Sequence, residues 1–339
     1  MYTQGWRAQW RPYRLDFNFE ARTSRAVMRH KDTYFVKLWH ESDPARFVIA
    51  ECPLFKGLSA EDTPDFEDRL TAVCANPTAD ALLHAPSSIR FAFESATNSS
   101  FLTPHSSFKI NGLVWMGDRP TMLARIRQKL DDGFRCIKLK IGGIDFDDEL
   151  SLLAYIRRHY GPDSLELRLD ANGAFDASNV MQRLDRLAAY HIHSIEQPVR
   201  AGQPELMARV CHDSPIDVAL DEELIGITPN VAKQALISFI KPRYIILKPA
   251  LCGGFSEADA WIAVARHNGV GWWATSALES NVGLAAIGRW LAKYDITMPQ
   301  GLGTGQLYTN NVGGGVTLHG STITVDNQYD TRQLNYLFE

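Results

Sequence analysis

The chain has 339 residues, 45% of them hydrophobic and 22% charged, with a net charge of −4 at pH 7. Those values describe a globular protein with a large core. They exclude the basic footprint of a nucleic-acid binder, and no apolar stretch reaches the ~18 residues of a membrane span. The five cysteines, Cys52, Cys74, Cys136, Cys211 and Cys252, contain no C-x-x-C pair, so zinc is not expected and reduced cytoplasmic thiols are. The N-terminus has tryptophans and positive charges but no apolar h-region of a secretory signal.

Residues 12–19, PYRLDFNF, put Tyr13, Leu15, Phe17 and Phe19 on one face, as a strand does. TYFVKLWH and RFVIAECPLF follow as two more strands, with ARTSRAVMRHKD as a polar, basic loop before them. TPDFEDRLTAVC and PSSIRFAFESATNSS have the apolar spacing of helices, Phe66, Leu70 and Val73 in the first and Ile89 and Phe93 in the second. Residues 1–105 therefore read as an α+β module. FKINGLVWMG then reads as a strand, and RPTMLARIRQKLDDG as a helix ending at Gly133. From there strands and helices alternate: strands at 136–141, 165–170, 192–196, 216–221, 243–248 and 270–276, and helices at 146–159, 176–190, 203–212, 229–237, 255–268 and 280–293. This is the rhythm of a parallel sheet covered by helices. With FKINGLVWMG first and PQGLGTG last there are eight strands, enough to close a barrel over 106–304. An open doubly wound sheet is the alternative. It calls for an early glycine-rich phosphate turn, and GLGTG at 301–305 lacks that spacing. The tail, 305–339, contains the hairpin pattern TLHGSTITVDN and is expected to return to the N-terminal module.

Five charges recur along the repeat: Lys140, Asp170, Glu196, Asp221 and Lys248, at intervals of 30, 26, 25 and 27 residues. Each lies in or at the end of an apolar run, where a lone buried charge is costly. A barrel resolves the cost, because all its strands point their C-terminal ends at one mouth. Three carboxylates there repel one another unless a hard cation joins them, and oxygen ligands suit Mg²⁺ or Mn²⁺. An N-cap role competes for any single aspartate at a strand–helix junction. Lys138 and Lys140 share a face, and two adjacent ammonium groups lead us to expect a depressed pKa for one, making it a base. Lys248, ending YIILK, lies opposite Lys140 around eight strands; a Schiff-base role competes, but an imine-forming site needs no metal. Arg168 and Asn172 alternate with Asp170 onto the inward face, while His191 and His193 read as packing or solvent residues. The tryptophans read as core. Ser276 ends another strand just before a helix, where backbone N–H groups can bind a carboxylate.

The order K-x-K at 138–140, LDANG, IEQP, ALDEE and LKP resembles the muconate lactonizing subgroup of the enolase superfamily over nearly the whole chain. RLDANGAF, LKPALCGG, TSALESNVG and QGLGTGQLYTNN are similar to one branch of it. Members of that branch dehydrate 2-succinyl-6-hydroxy-2,4-cyclohexadiene-1-carboxylate to 2-succinylbenzoate, toward menaquinone. The resemblance implies a (β/α)7β barrel with an α+β capping domain that the C-terminal tail completes. It implies Mg²⁺, with Mn²⁺ as substitute, on Asp170, Glu196 and Asp221. It makes Lys140 the base and then the acid of a syn elimination, Lys248 the ammonium that stabilises an enediolate, and Lys138 their electrostatic neighbour. Arg168, Ser276 and Gly303 would touch substrate, Ser276 and neighbouring N–H groups at its succinyl carboxylate, and the loops ARTSR and ECPLF would close the mouth. The strand GLGTG lacks the acidic pair with which dipeptide epimerases hold an amine, and Glu223 stands where serine is common. N-acylamino acid racemization and cycloisomerization use the same enediolate and stay open as alternatives. A non-catalytic barrel is the reading from another class. The expected partner is a small-molecule carboxylate, with neither nucleic acid nor membrane, and the oligomeric state is left open.

Overall fold

The computed structural model describes residues 5–22, 27–97 and 105–339. It opens with an antiparallel sheet of β1 (Trp6–Arg22), β2 (Val27–His40) and β3 (Asp43–Cys52), in that order. Leu15 and Phe17 are buried while Arg14, Asp16 and Asn18 are exposed, the alternation of a one-sided sheet. The expected basic loop shrinks, because β2 begins at Val27 and pairs Ala21 with Met28 and Arg22 with Val27. A strand with one wet face accepts the polar residues that had suggested a loop. Residues 23–26 of that loop lie outside the described residues. Helices α1 (Phe66–Ala75), α2 (Ala79–Leu83) and α3 (Ser87–Thr97) follow, and Phe66, Leu70, Ile89 and Phe93 pack on Val36, Leu38 and Ala50 of the sheet.

FKINGLVWMG does not form one strand. It splits into β4 (His105–Lys109) and β5 (Gly112–Val114). At the break, Ile110 N–H donates to Ser321 O and Asn111 N–H to Gln300 O, so the chain changes sheets there. The barrel then runs through α4 (Arg119–Asp131), β6 (Cys136–Lys140), α5 (Phe146–His159), β7 (Glu166–Asp170), α6 (Val180–Ala188), β8 (Ser194–Glu196), α7 (Pro204–Asp213), β9 (Val218–Leu220), α8 (Asn230–Ile240), β10 (Tyr244–Leu247), α9 (Gly254–His267), β11 (Gly271–Ala274) and α10 (Asn281–Leu291). Strands β5 to β11 neighbour one another in sequence order, all parallel. The eighth position is filled by bridges only, Gln300 to Ile110 and Gly301 to Thr275. The tail hairpin, β12 (Val316–His319) and β13 (Thr322–Asp326), pairs with β4 rather than with β1–β3. The segment Thr331–Phe338 is what reaches β3, where Thr331 Oγ1 accepts from Ile49 N–H at 3.0 Å. No helix among the described residues is long and apolar enough to cross a membrane.

Two carboxylates of the cap dock onto helix starts of the barrel. Glu51, ending β3, accepts from Ser280 N–H at 2.9 Å, Ser280 Oγ at 2.5 Å and Gly283 N–H at 3.1 Å at the start of α10. Glu94 of α3 accepts from Phe255 N–H at 2.5 Å and Ser256 N–H at 3.0 Å at the start of α9. A carboxylate at a helix N-terminus satisfies unpaired N–H groups and meets the positive end of the dipole. Gly283 is required here, since a Cβ would lie 2.9 Å from Glu51 Oε2.

Helix α5 shows the same logic within the barrel. Asp145 caps it, Asp147, Asp148 and Glu149 fill its first turn, and Arg157, Arg158 and His159 its last. Glu149 is buried and reaches back to accept from Gly142 N–H at 2.6 Å, fixing the loop after Lys140. Burial raises its pKa from 4.5 to about 7, against the lowering by the N–H groups of Gly142 and Gly143. The folded state thus holds this proton more tightly than the unfolded chain. The associated stability is fully present below about 4.5 and is lost as pH rises through about 7. Glu149→Gln should flatten the decline, whose limiting slope is about 1.4 kcal/mol per pH unit. Urea midpoints of both proteins from pH 4.5 to 8 check this, and parallel curves would contradict it.

Candidate active site

Lys138, Lys140, Asp170, Glu196, Asp221 and Lys248 all come together at the C-terminal ends of β6 to β10. The parallel register places Lys140 beside Asp170 and Asp170 beside Glu196. Ile137 and Leu139 face outward into the core under the helices, so the alternating lysines of β6 must face in. Lys138 Nζ lies 2.6 Å from Glu196 Oε2 and 2.9 Å from Asp170 Oδ2. Lys140 Nζ lies 3.0 Å from Asp170 Oδ2 and 2.6 Å from Asn172 Oδ1. Lys248 Nζ is paired with Asp221 Oδ2. Gln197 takes a positive φ of 42° so that its side-chain oxygen accepts from Asp221 N–H at 3.1 Å. Asn172 and Leu278, at two other strand ends, also have positive φ, 44° and 66°. Such backbone costs about 1–3 kcal/mol per residue, and three of the five non-glycine residues with positive φ among the described residues stand at this mouth.

The charges shift one another strongly. Burial pushes the Glu196 carboxyl up to about 8, and the nearby Asp170 and Asp221 add to the rise against the pull of Lys138. Asp170 goes the other way: Lys138 and Lys140 outweigh its burial and hold it well below the usual carboxylate range. Lys248 is raised, because the attraction of Asp221 and Glu196 exceeds the penalty of burial. Lys138 is raised as well, since Asp170 and Glu196 together outweigh both its burial and the repulsion of Lys248.

A cavity of about 70 Å³ opens above this floor. Lys138, Lys140, Asp170, Asn172 and Lys248 line its base; Met28, Phe55 and Leu58 cover it from the cap; Trp115, Thr275, Ser276, Gly303 and Thr304 line its sides. Gly303 and Ser276 are at the mouth. Arg168 is not. It lies two residues before Asp170, one layer deeper, its Nε 2.6 Å from Glu166 Oε1 and its Nη1 2.9 Å from Pro299 O, over the Trp273 ring. The ECPLF loop contributes Phe55; the ARTSR loop lies largely outside the described residues. Glu223 turns away, accepting from Gly202 N–H at 3.1 Å. Trp115, Thr275 and Thr304 escaped the sequence reading, because nothing in their local pattern separates a cavity wall from core. Asn172 had a signal in its two-residue spacing from Asp170.

The donor set fits a divalent cation. Glu196 Oε1 is buried without a hydrogen-bond partner among the described residues. The Lys138 ammonium bridges Asp170 and Glu196 as a cation would. Among the described residues no three carboxylate, histidine or cysteine side chains close on a single point in this arrangement, because the lysines stand between and beside the acids. Asp170, Glu196 and Asp221 nonetheless end adjacent strands, ~4.8 Å apart, and offer only hard oxygen donors.

Comparison with known proteins shows what the chain is similar to. Residues 121–325 match the family model described as enolase C-terminal domain-like. The chain is 42% identical to the o-succinylbenzoate synthase of Desulfotalea psychrophila, over 92% of this chain and 96% of that protein. A crystal structure of MenC from the same organism superposes with a TM-score of 0.77 at 38% identity, covering 95% of this chain and 100% of that one. The L-Ala-D/L-Glu epimerase of Bacillus subtilis shares the fold, with a TM-score of 0.82 at 18% identity over 94% and 95% of the two chains. The chain belongs to the enolase superfamily, in its o-succinylbenzoate synthase family.

Proposed function

We propose that this enzyme is a hydro-lyase that converts 2-succinyl-6-hydroxy-2,4-cyclohexadiene-1-carboxylate to 2-succinylbenzoate. The observation that carries the reading is the near-full-length likeness to a relative of that activity. The placement of Lys140 and Lys248 on strands four apart, both lining one cavity, supports it.

Asp170, Glu196 and Asp221 would hold Mg²⁺, or Mn²⁺ in its place. When bound, such an ion supplies several kcal/mol of charge stabilisation to a carboxylate whose α-proton is leaving. Lys140, as the neutral amine, takes that proton; its electron pair moves toward the carboxylate to give the enediolate. The pair then returns, the C–O bond of the 6-hydroxyl breaks, and the Lys140 ammonium gives its proton to the departing oxygen on the same face. Water and an aromatic ring result. Asn172, 2.6 Å from Lys140 Nζ, aims the base. Lys248 stays an ammonium, as its raised pKa favours, and faces the enediolate from the other side. Lys138 ties Asp170 to Glu196 and sets their orientation.

Racemization of N-succinyl amino acids is the second reading, favoured by the fact that two opposed lysines can serve either face of an α-carbon. The test runs both substrates in parallel. The dehydration reading expects 2-succinylbenzoate from the cyclohexadiene at a kcat/KM far above that for α-proton exchange in D₂O on N-succinyl amino acids. Exchange without any dehydration would replace it with the racemase reading.

A further inference from the structure

Going around the barrel, the cavity wall divides into two arcs. Among the described residues, the arc from β6 to β10 carries every charged group that lines it: Lys138, Lys140, Asp170 and Lys248. The other arc, from β11 through the bridging residues Gln300 and Gly301 to β5, carries no charge among the described residues but holds four buried polar atoms with no partner among them. They are Asn111 Oδ1, Trp115 Nε1, Thr275 Oγ1 and Thr304 Oγ1. Their residues are 3%, 4%, 9% and 4% exposed, so bulk water does not satisfy them. Buried polar atoms are nearly always paired, and four exceptions on one cavity wall point to a ligand. Ser276, on the same wall, is different. Its Oγ donates to Glu279 Oε2 at 2.5 Å and accepts from Leu278 N–H at 2.9 Å and Glu279 N–H at 3.2 Å, so its hydrogen-bonding capacity is already used by its own turn.

We infer that Asn111, Trp115, Thr275 and Thr304 form the subsite for the four-carbon keto-acid arm of the substrate, in place of the Ser276 hydroxyl. The inference rests on the dehydration reading above. That substrate has two acidic ends. Its ring carboxylate is drawn to the charged arc, which leaves a ketone and a distal carboxylate to be met by neutral donors. The indole N–H, two hydroxyls and an amide supply them. The amide's oxygen and nitrogen are interchangeable by a flip, so Asn111 can donate as well as accept. Trp115 is fixed for the task, its ring wedged edge-on against Phe17 and Phe19 of β1 with Lys140 Nζ 5.3 Å from its centre.

The test uses the full-length protein and the isosteric variants Thr304→Val and Thr275→Val, with Trp115→Phe as a third. Affinity for 2-succinylbenzoate by calorimetry, KM and kcat for dehydration, and Tm without ligand are measured for each. Each lost donor should weaken product binding and raise KM by roughly tenfold, with kcat changed less. The two valine variants should hold or raise Tm, because an unpartnered buried hydroxyl is removed. Wild-type affinity in Thr304→Val and Trp115→Phe, or a fall in Tm with affinity unchanged, would overturn the subsite. If the wild type itself neither turns over the cyclohexadiene nor binds the product, the dehydration reading falls and takes this one with it.

Discussion

Lys140→Ala should lower kcat by at least ~10³-fold, within the range of ~10²–10⁴ that a positioned general acid–base contributes. The side chain is to serve twice, removing a proton and returning it, so no neighbour substitutes for it. Lys140→Arg sharpens the prediction. It keeps the positive charge beside Asp170 but is never deprotonated, so it should be as inactive as the alanine variant. Lys248 behaves differently if its role is electrostatic. Lys248→Ala should also lose at least ~10²-fold, as loss of an oxyanion donor does. Lys248→Arg retains the charge and should keep measurable turnover. Near-UV circular dichroism checks that all four variants are folded. Turnover by Lys140→Arg close to wild type would sink the assignment of the base.

The second large effect concerns the carboxylates. Glu196→Gln preserves shape but removes the carboxylate that a bound cation would hold ionised, and with it Glu196 Oε1 as an anionic donor. Partners that merely orient metal ligands cost 10–100-fold in affinity when lost, so a direct ligand should cost at least ~10²-fold. Two readouts follow. The Mg²⁺ concentration for half-maximal rate should rise by that factor. The stabilisation that Mg²⁺ gives the wild type, about 2.7 kcal/mol at a hundred times Kd, should fall to about 0.4 kcal/mol or less at the same concentration, and the rise in Tm with it. An unchanged Mg²⁺-dependent shift in Tm would remove Glu196 from the metal site.

Much of the fold was legible because a parallel barrel has a strong period. Apolar runs such as CIKLK and LELRLD are buried on both sides, so a charge among them signals a mouth rather than a surface. The same logic exposed Lys140, Asp170, Glu196, Asp221 and Lys248 together. What stayed hidden depended on tertiary pairing. FKINGLVWMG looks like one strand because its hydrophobicity is continuous, yet the break at Ile110 and Asn111 is set by partners roughly 200 residues away, Ser321 and Gln300. The raised pKa of Lys138 was hidden too. Two lysines in one strand are visible in sequence, but the carboxylates that reverse their mutual repulsion come from β7 and β8. Arg168 shows the limit of two-residue periodicity, which gives the face of a strand and not the depth within the barrel. Trp115, Thr275 and Thr304 have the residue types of an ordinary core, and only the cavity beside them marks them out.

The central claim is that the three carboxylates and two lysines perform a metal-dependent elimination. The most direct measurement follows the loss of cyclohexadiene absorbance at fixed enzyme, first after treatment with a chelator and then on adding back Mg²⁺. The expected result is negligible loss without the ion, full recovery with it, and 2-succinylbenzoate as the product. Equal rates in both conditions, or no loss in either, would contradict it.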